Sequence, residues 1–230
     1  MTWVKICGIT NLEDALTAVD AGADALGFVF HEKSPRKVEP EMVRQILAKL
    51  PATVGKIGVF AGDRSDHVQG IAMGAKLTGI QLHVDTSSHG GDGLFDWAST
   101  MPVEMFVALQ ARQFLDDQGR FEGIVMSTKD HRMEKVRAVF LDSGTAERPG
   151  GTGLAFDWIK ATPLADAIKQ AGFNLVVAGG LTPSNVAEAM HVLEPWGVDV
   201  SSGVEARPGK KDPNKVRAFV AAVRQEDAKH

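Results

Sequence analysis

Short β-rich runs alternate with helical patterns along almost the whole 230-residue chain. The runs are Trp3–Ile6, Ala25–Phe30, Lys56–Phe60, Gly79–Leu82, Glu104–Leu109, Ala138–Leu141, Asn174–Ala178 and Val198–Val200, and their first residues lie roughly 28 residues apart on average. That spacing is the length of one strand, one helix and two short loops, so the runs predict parallel strands joined by helical crossovers. Eight such units suffice to close the sheet on itself. The expected fold is therefore α/β, a single-domain (β/α)8 TIM barrel occupying residues 1–230, since such barrels run to roughly 200–250 residues as one domain.

The segments between the runs support helices that each turn one apolar stripe to a sheet. Leu12/Ala15/Leu16/Val19, Val43/Ile46/Leu47/Leu50, Val186/Ala189/Met190/Leu193 and Val216/Phe219/Val220/Val223 all repeat the i, i+3, i+4, i+7 spacing. Start signals are Thr10 with Glu13 as a capping box, Ser65 as a cap, and Thr182-Pro183 and Asp212-Pro213 as a capping side chain before a proline. Gly22 and Gly172 mark helix ends, whereas 84–100 and 110–137 carry no regular helical pattern.

Composition narrows the function. With 25 Lys+Arg against 29 Asp+Glu and a net charge of −4, the chain offers no basic field for nucleic acid or an anionic membrane, which leaves a small molecule as the expected partner. The lone Cys7 cannot form an internal disulfide, and His67, His83, His89, His131 and His191 lack metal-ligand spacing, so no metal is expected. The N-terminal residues do not resemble a secretory leader, and no apolar run approaches the ~18 residues of a membrane span. A cytoplasmic location is expected.

In a (β/α)8 barrel, reactive groups come from the C-terminal ends of the strands and the loops that follow. Those places hold Cys7, His31–Lys37, His83, Asp142-Ser143-Gly144, Gly179-Gly180 and Ser201-Ser202-Gly203. The small-residue turns after the last two strands, with Gly150-Gly151-Thr152-Gly153, read either as tight turns or as backbone cradles for a phosphate, and the pair together favours phosphate. Cys7 is either a small buried hydrophobe or, beside a cation, a thiolate base. Asp142 is a cap, a loop brace or an acid raised by burial. Arg36 is a solvated charge or a planar fork for a carboxylate. His83 is a satisfied loop histidine or a ligand contact, and Asp199 either holds sugar hydroxyls or pairs with Lys5 or another interior cation.

With Lys5-Ile6-Cys7-Gly8-Ile9-Thr10, Gly22 to Phe30, Lys33-Ser34-Pro35-Arg36 and Asp199-Val200-Ser201-Ser202-Gly203-Val204-Glu205 in view, the chain resembles the phosphoribosylanthranilate isomerases over nearly its whole length. Gln81-Leu82-His83, Leu141-Asp142, Gly151-Thr152-Gly153, Phe156-Asp157-Trp158 and Ala178 to Leu181 stand in the family's order. The resemblance implies an Amadori rearrangement without a cofactor, with Cys7 as general base and Asp142 as general acid. It places the anthranilate carboxylate on Arg36, sugar hydroxyls on Asp199, a substrate contact at His83, and phosphate on the backbone around Gly153, Gly179, Gly180, Ser202 and Gly203. The two groups must differ in protonation at one pH, which predicts a raised carboxyl pKa and a lowered thiol pKa. A monomer or a homodimer is equally compatible.

Three features depart from the family pattern: Val84 stands where a glycine usually follows the histidine, Phe106 to Leu109 lacks a lysine found in some relatives, and the stretch around 111–129 is long and charged. Two rival functions are a related phosphosugar isomerase of histidine synthesis, which carries an aspartate where this chain has Cys7, and a catalytically silent phosphate-binding barrel.

Overall fold

A computed structural model describes residues 1–83, 97, 100–111, 113, 135–143 and 155–229. Eight parallel strands close into a barrel in sequence order, β1 (Trp3–Cys7), β2 (Ala25–Val29), β3 (Gly55–Ala61), β4 (Gly79–His83), β5 (Glu104–Gln110), β6 (Val136–Asp142), β7 (Asn174–Ala178) and β8 (Gly197–Val200). Closure is made by β1, which pairs with β2 on one side (Cys7 opposite Gly27) and with β8 on the other (Lys5 opposite Asp199). All eight predicted runs are strands, with ends within two residues of expectation.

The described helices are α1 (Leu12–Asp20), α2 (Pro40–Leu47), α3 (Ser65–Gly74), α4 (Trp158–Gln170), α5 (Val186–Leu193) and α6 (Pro213–Asp227). They cover the outside of the barrel, where Val4, Ile6, Leu26 and Phe28 of the strands meet Val43, Ala189 and Phe219 of the helices in one buried cluster. The stripes predicted for α5 and α6 are buried as expected.

That of α1 is rotated: Leu16 is 38% exposed, and the buried face is Asp14, Ala15 and Ala18. The reason lies at the other end of the chain. A two-stranded hairpin, β9 (Glu205–Arg207) and β10 (Lys210–Lys211), follows β8, and Asp14 accepts from the Lys211 backbone N–H at 2.7 Å and from Lys210 Nζ at 2.6 Å. A buried carboxylate is tolerable only when so partnered, and this one fixes the rotation of the helix.

Three predicted starts differ. Asn11, not Thr10, caps α1 by accepting from Asp14 N, because Thr10 Oγ1 donates instead to the Gly209 carbonyl. Ser65 is the first residue of α3 rather than its cap, and Thr182 opens a turn ahead of α5, its carbonyl accepting from Asn185 and Val186. Asp212 caps α6 as predicted, accepting from Asn214 N and Lys215 N.

Candidate active site

Because side chains alternate across a strand, residues two apart point into the barrel. On β1 these are Trp3, Lys5 and Cys7, and the neighbours paired with them continue the pattern around the ring. At the N-terminal end the interior is a plug in which Ala25, Ile57, Phe106, Ala138, Phe140 and Val176 pack with Trp3 and Trp196. Trp3 stacks on Phe106 and on Trp196, with ring centroids 5.8 and 5.1 Å apart.

At the C-terminal end the interior opens into a cleft that is continuous with solvent. Cys7, His83, Asp142 and Asp199 line it from the strands, and Arg36, Gly179, Gly180 and Ser202 line it from loops. The structure thus brings eight predicted site residues to one place. Gly203 does not line the cleft; a Cβ there would run into the Leu181 carbonyl, so this glycine lets the loops after β7 and β8 pack closely. Gly153 and Val84 lie outside the described residues.

Cys7 is 7% exposed, and burial pushes its thiol up, opposed by the positive charges of Lys5 and Lys211. The lowered thiol pKa expected from the sequence is therefore corrected for the free protein, because desolvation outweighs the cations. Lys5, wholly buried beneath it, pairs with Asp199 Oδ1 at 3.0 Å; burial lowers the lysine, but Asp199 and Cys7 together more than offset that. Of the two readings of Asp199, the ion pair with Lys5 is present, and the residue also lines the cleft.

Asp142 ends β6, 6% exposed, and the turn after β7 is shaped around it. Gly179 has φ +78°, and a Cβ there would overlap Ser143 and come within 2.7 Å of Asp142 Oδ1. Gly180 is also left-handed, at φ +70°, so the backbone here takes a course that other residues adopt only under strain.

Arg36 is not the solvated charge that its basic surroundings allowed. It is 8% exposed, and its Nε and Nη2 each donate to one oxygen of Glu205 at 2.8 Å. Lys211 Nζ donates to the same carboxylate at 3.2 Å, as does the Gly209 N–H at 3.2 Å. The Nε/Nη2 edge of the guanidinium is occupied by Glu205, and Arg36 also lines the cleft. Burial holds His83 down at about 4, so its imidazole is neutral at pH 7.

Sequence reasoning gave no role to Glu205 and Lys211, and named Lys5 only as a counter-ion. Glu205 stands in a quoted motif, but its partner is 169 residues away, and nothing local to Lys211 marks it as buried. Lys5 was the legible one, since it shares the inward face of β1 with Cys7. Among the described residues, no helix is long and apolar enough to cross a membrane.

Comparison with known proteins gives this arrangement a context. Residues 4–222 match the family model described as N-(5'phosphoribosyl)anthranilate (PRA) isomerase. The N-(5'-phosphoribosyl)anthranilate isomerase of Geotalea uraniireducens is 41% identical over 222 residues, covering 96% of this chain and 97% of the relative. The phosphoribosyl anthranilate isomerase structure from Thermotoga maritima superposes with a TM-score of 0.80 at 36% identity, covering 98% of this chain and all of that one. A phosphoribosyl anthranilate isomerase solved in complex with reduced 1-(o-carboxyphenylamino)-1-deoxyribulose 5-phosphate superposes with a TM-score of 0.77 at 34% identity, covering 98% and 100%.

Proposed function

The chain belongs to the N-(5'-phosphoribosyl)anthranilate isomerase family, and from that premise we propose how its cleft converts N-(5'-phosphoribosyl)anthranilate to 1-(2-carboxyphenylamino)-1-deoxyribulose 5-phosphate in tryptophan biosynthesis. The observation that carries the residue assignment is that Cys7 and Asp142, on strands three places apart around the ring, line one cleft.

Asp142, protonated, gives its proton to the furanose ring oxygen; the bond from that oxygen to C1′ breaks, and the anilino nitrogen's lone pair forms the Schiff base. Cys7, as thiolate, takes the proton from C2′, and the electrons of that C–H bond pass into the C1′–C2′ bond while the C=N π pair returns to nitrogen. The resulting enolamine becomes the ketone by losing its C2′ hydroxyl proton and gaining one at C1′. Protons balance, and no electron acceptor is involved.

The outer edge of Arg36 holds the anthranilate carboxylate, with Glu205 keeping the guanidinium plane fixed. Backbone groups around Gly179, Gly180 and Ser202 take the phosphate, and the Asp199 carboxylate reaches a sugar hydroxyl with the oxygen that Lys5 leaves open.

The test is the loss of substrate fluorescence during turnover. Cys7→Ser and Asp142→Asn are each expected to lower kcat by about 10²–10⁴-fold with an unchanged circular dichroism spectrum, the scale of a positioned proton-transfer group. Near-wild-type turnover in both variants would overturn the assignment.

A further inference from the structure

Lysine is almost never fully buried unless paired, yet Lys5 is 0% exposed in the middle of the barrel. Its ammonium donates to Asp199 Oδ1 at 3.0 Å and stands 5.2 Å from the centroid of the Phe140 ring. A buried ion pair of this kind is often no more stabilising than apolar side chains of the same volume, and the plug just below shows that the barrel can be filled that way. Stability alone gives little reason for a cation at this level.

Its position does. Lys5 is one inward step below Cys7 on β1, and Gly27 of β2 lies opposite Cys7. The point where a Gly27 Cβ would stand is 2.7 Å from Cys7 Sγ and 3.0 Å from Lys5 Cε, so the sulfur and the lysine stem converge over the same bare glycine. A buried sulfur serves as a base only if a neighbouring positive charge offsets the cost of its anion.

We propose that Lys5 is a positioning residue for the isomerisation: its ammonium, held under Cys7 by Asp199 and the Phe140 ring, supplies the charge against which the Cys7 sulfur exists as the proton-accepting thiolate. This rests on Cys7 being the base in the reading above. The charged groups around the sulfur are Lys5 on its own strand, Asp199 on β8, Lys211 on β10 and Arg36 in the loop after β2. His83 on β4 and Asp142 on β6 face the Lys5–Asp199 pair. After desolvation, which raises the thiol, Lys5 is the strongest influence on it and acts downward, whereas Asp199 acts upward. The two members of one ion pair thus pull the thiol in opposite directions, so their removal is expected to move it in opposite directions.

The experiment is the pH dependence of Cys7 alkylation by iodoacetamide in the free full-length protein, followed by mass spectrometry, with kcat/KM profiles in parallel. Lys5→Met is expected to move the alkylation midpoint upward and slow alkylation at neutral pH by about 10- to 100-fold, the usual reach of a removed neighbouring charge. Asp199→Asn is expected to move the midpoint downward, and Lys5→Arg to restore most of the wild-type profile. An unmoved midpoint in Lys5→Met, or an upward one in Asp199→Asn, would overturn the proposal. If Lys5→Met does not fold, Lys5→Gln takes its place, with the same upward midpoint expected and an unmoved one overturning the proposal. Alkylation needs no substrate, so a wild-type protein without isomerase turnover would contradict the function while leaving the Lys5–Cys7 coupling to be judged on its own.

Discussion

Two interiors share one barrel. At the N-terminal end the inward positions carry rings and branched chains, and Trp3, Phe106 and Phe140 meet at stacked and edge-on angles. At the C-terminal end the same alternation delivers Lys5, Cys7, Gln81, His83, Asp142 and Asp199, all of them polar or reactive and most of them buried. Each strand keeps the same two neighbours at both levels, with one register shift in the β5–β6 pair between Met105 and Phe106. The difference teaches that the plug holds the ring together, whereas the cleft stores charges that stability alone does not require and that the plug makes tolerable.

That contrast can be broken most forcefully at the plug. Phe106→Ala removes a ring fully enclosed by Trp3 and Phe140 and is expected to cost about 3–5 kcal/mol of unfolding free energy in urea, with turnover per folded molecule largely kept. An equal loss of kcat in the folded fraction would show that the two levels are not separable. Gly27→Ala probes the boundary, because its Cβ would meet Cys7 Sγ and Lys5 Cε. Displacing the base is expected to lower kcat by about 10²-fold, the effect of a misplacement on the order of 1 Å. Wild-type kcat there would mean that the sulfur has room to move without consequence.

Arg36→Ala belongs wholly to the cleft. Losing a charge-assisted pair of hydrogen bonds to the carboxylate is worth about 1.5–3 kcal/mol, so KM should rise by roughly 10- to 100-fold with a smaller change in kcat. Unchanged KM would remove the carboxylate clamp. The smallest effect is His83, whose ring should titrate near pH 4 by NMR and remain neutral across the pH range of turnover. A value at or above the ordinary 6.5 would assign it a charged role instead.

The alkaline side carries its own prediction. Cys7 and Lys5 both have folded-state pKa values raised above the unfolded ones. What those two shifts contribute to stability is complete below the unfolded values and is lost as pH climbs through the raised folded values. Thermal stability should therefore fall on the alkaline side in the wild type; a profile that stays flat through that range would show that the two groups are not linked to folding.

Much of this was legible in the residues. The strands were readable because each is an apolar run followed by enough chain for one helical crossover, and the ring then places Cys7 and Asp142 at one end without further information. Legibility failed where a distant partner decided the outcome. Thr10 and Asn11 are both capping residues, and only the Gly209 carbonyl settles which one caps α1. Leu16 fits the helical stripe, yet the hairpin after β8 draws Asp14 inward and turns Leu16 to solvent. Arg36 looked like one charge among several, and Glu205 with Lys211 is what makes it a fixed fork. The thiol was expected to be lowered because cations were foreseen near it, while the extent of its burial was not.

The central claim is that the Cys7 sulfur and the Asp142 carboxylate act on one sugar from two sides. The measurement that meets it most directly is a crystal structure of this protein with reduced 1-(o-carboxyphenylamino)-1-deoxyribulose 5-phosphate bound. The account predicts the sugar between the two groups, with Cys7 Sγ within about 3.5 Å of the C1′–C2′ segment and Asp142 within about 3.2 Å of the former ring oxygen. A ligand seated with either group turned away from the sugar, or bound outside the cleft, would contradict it.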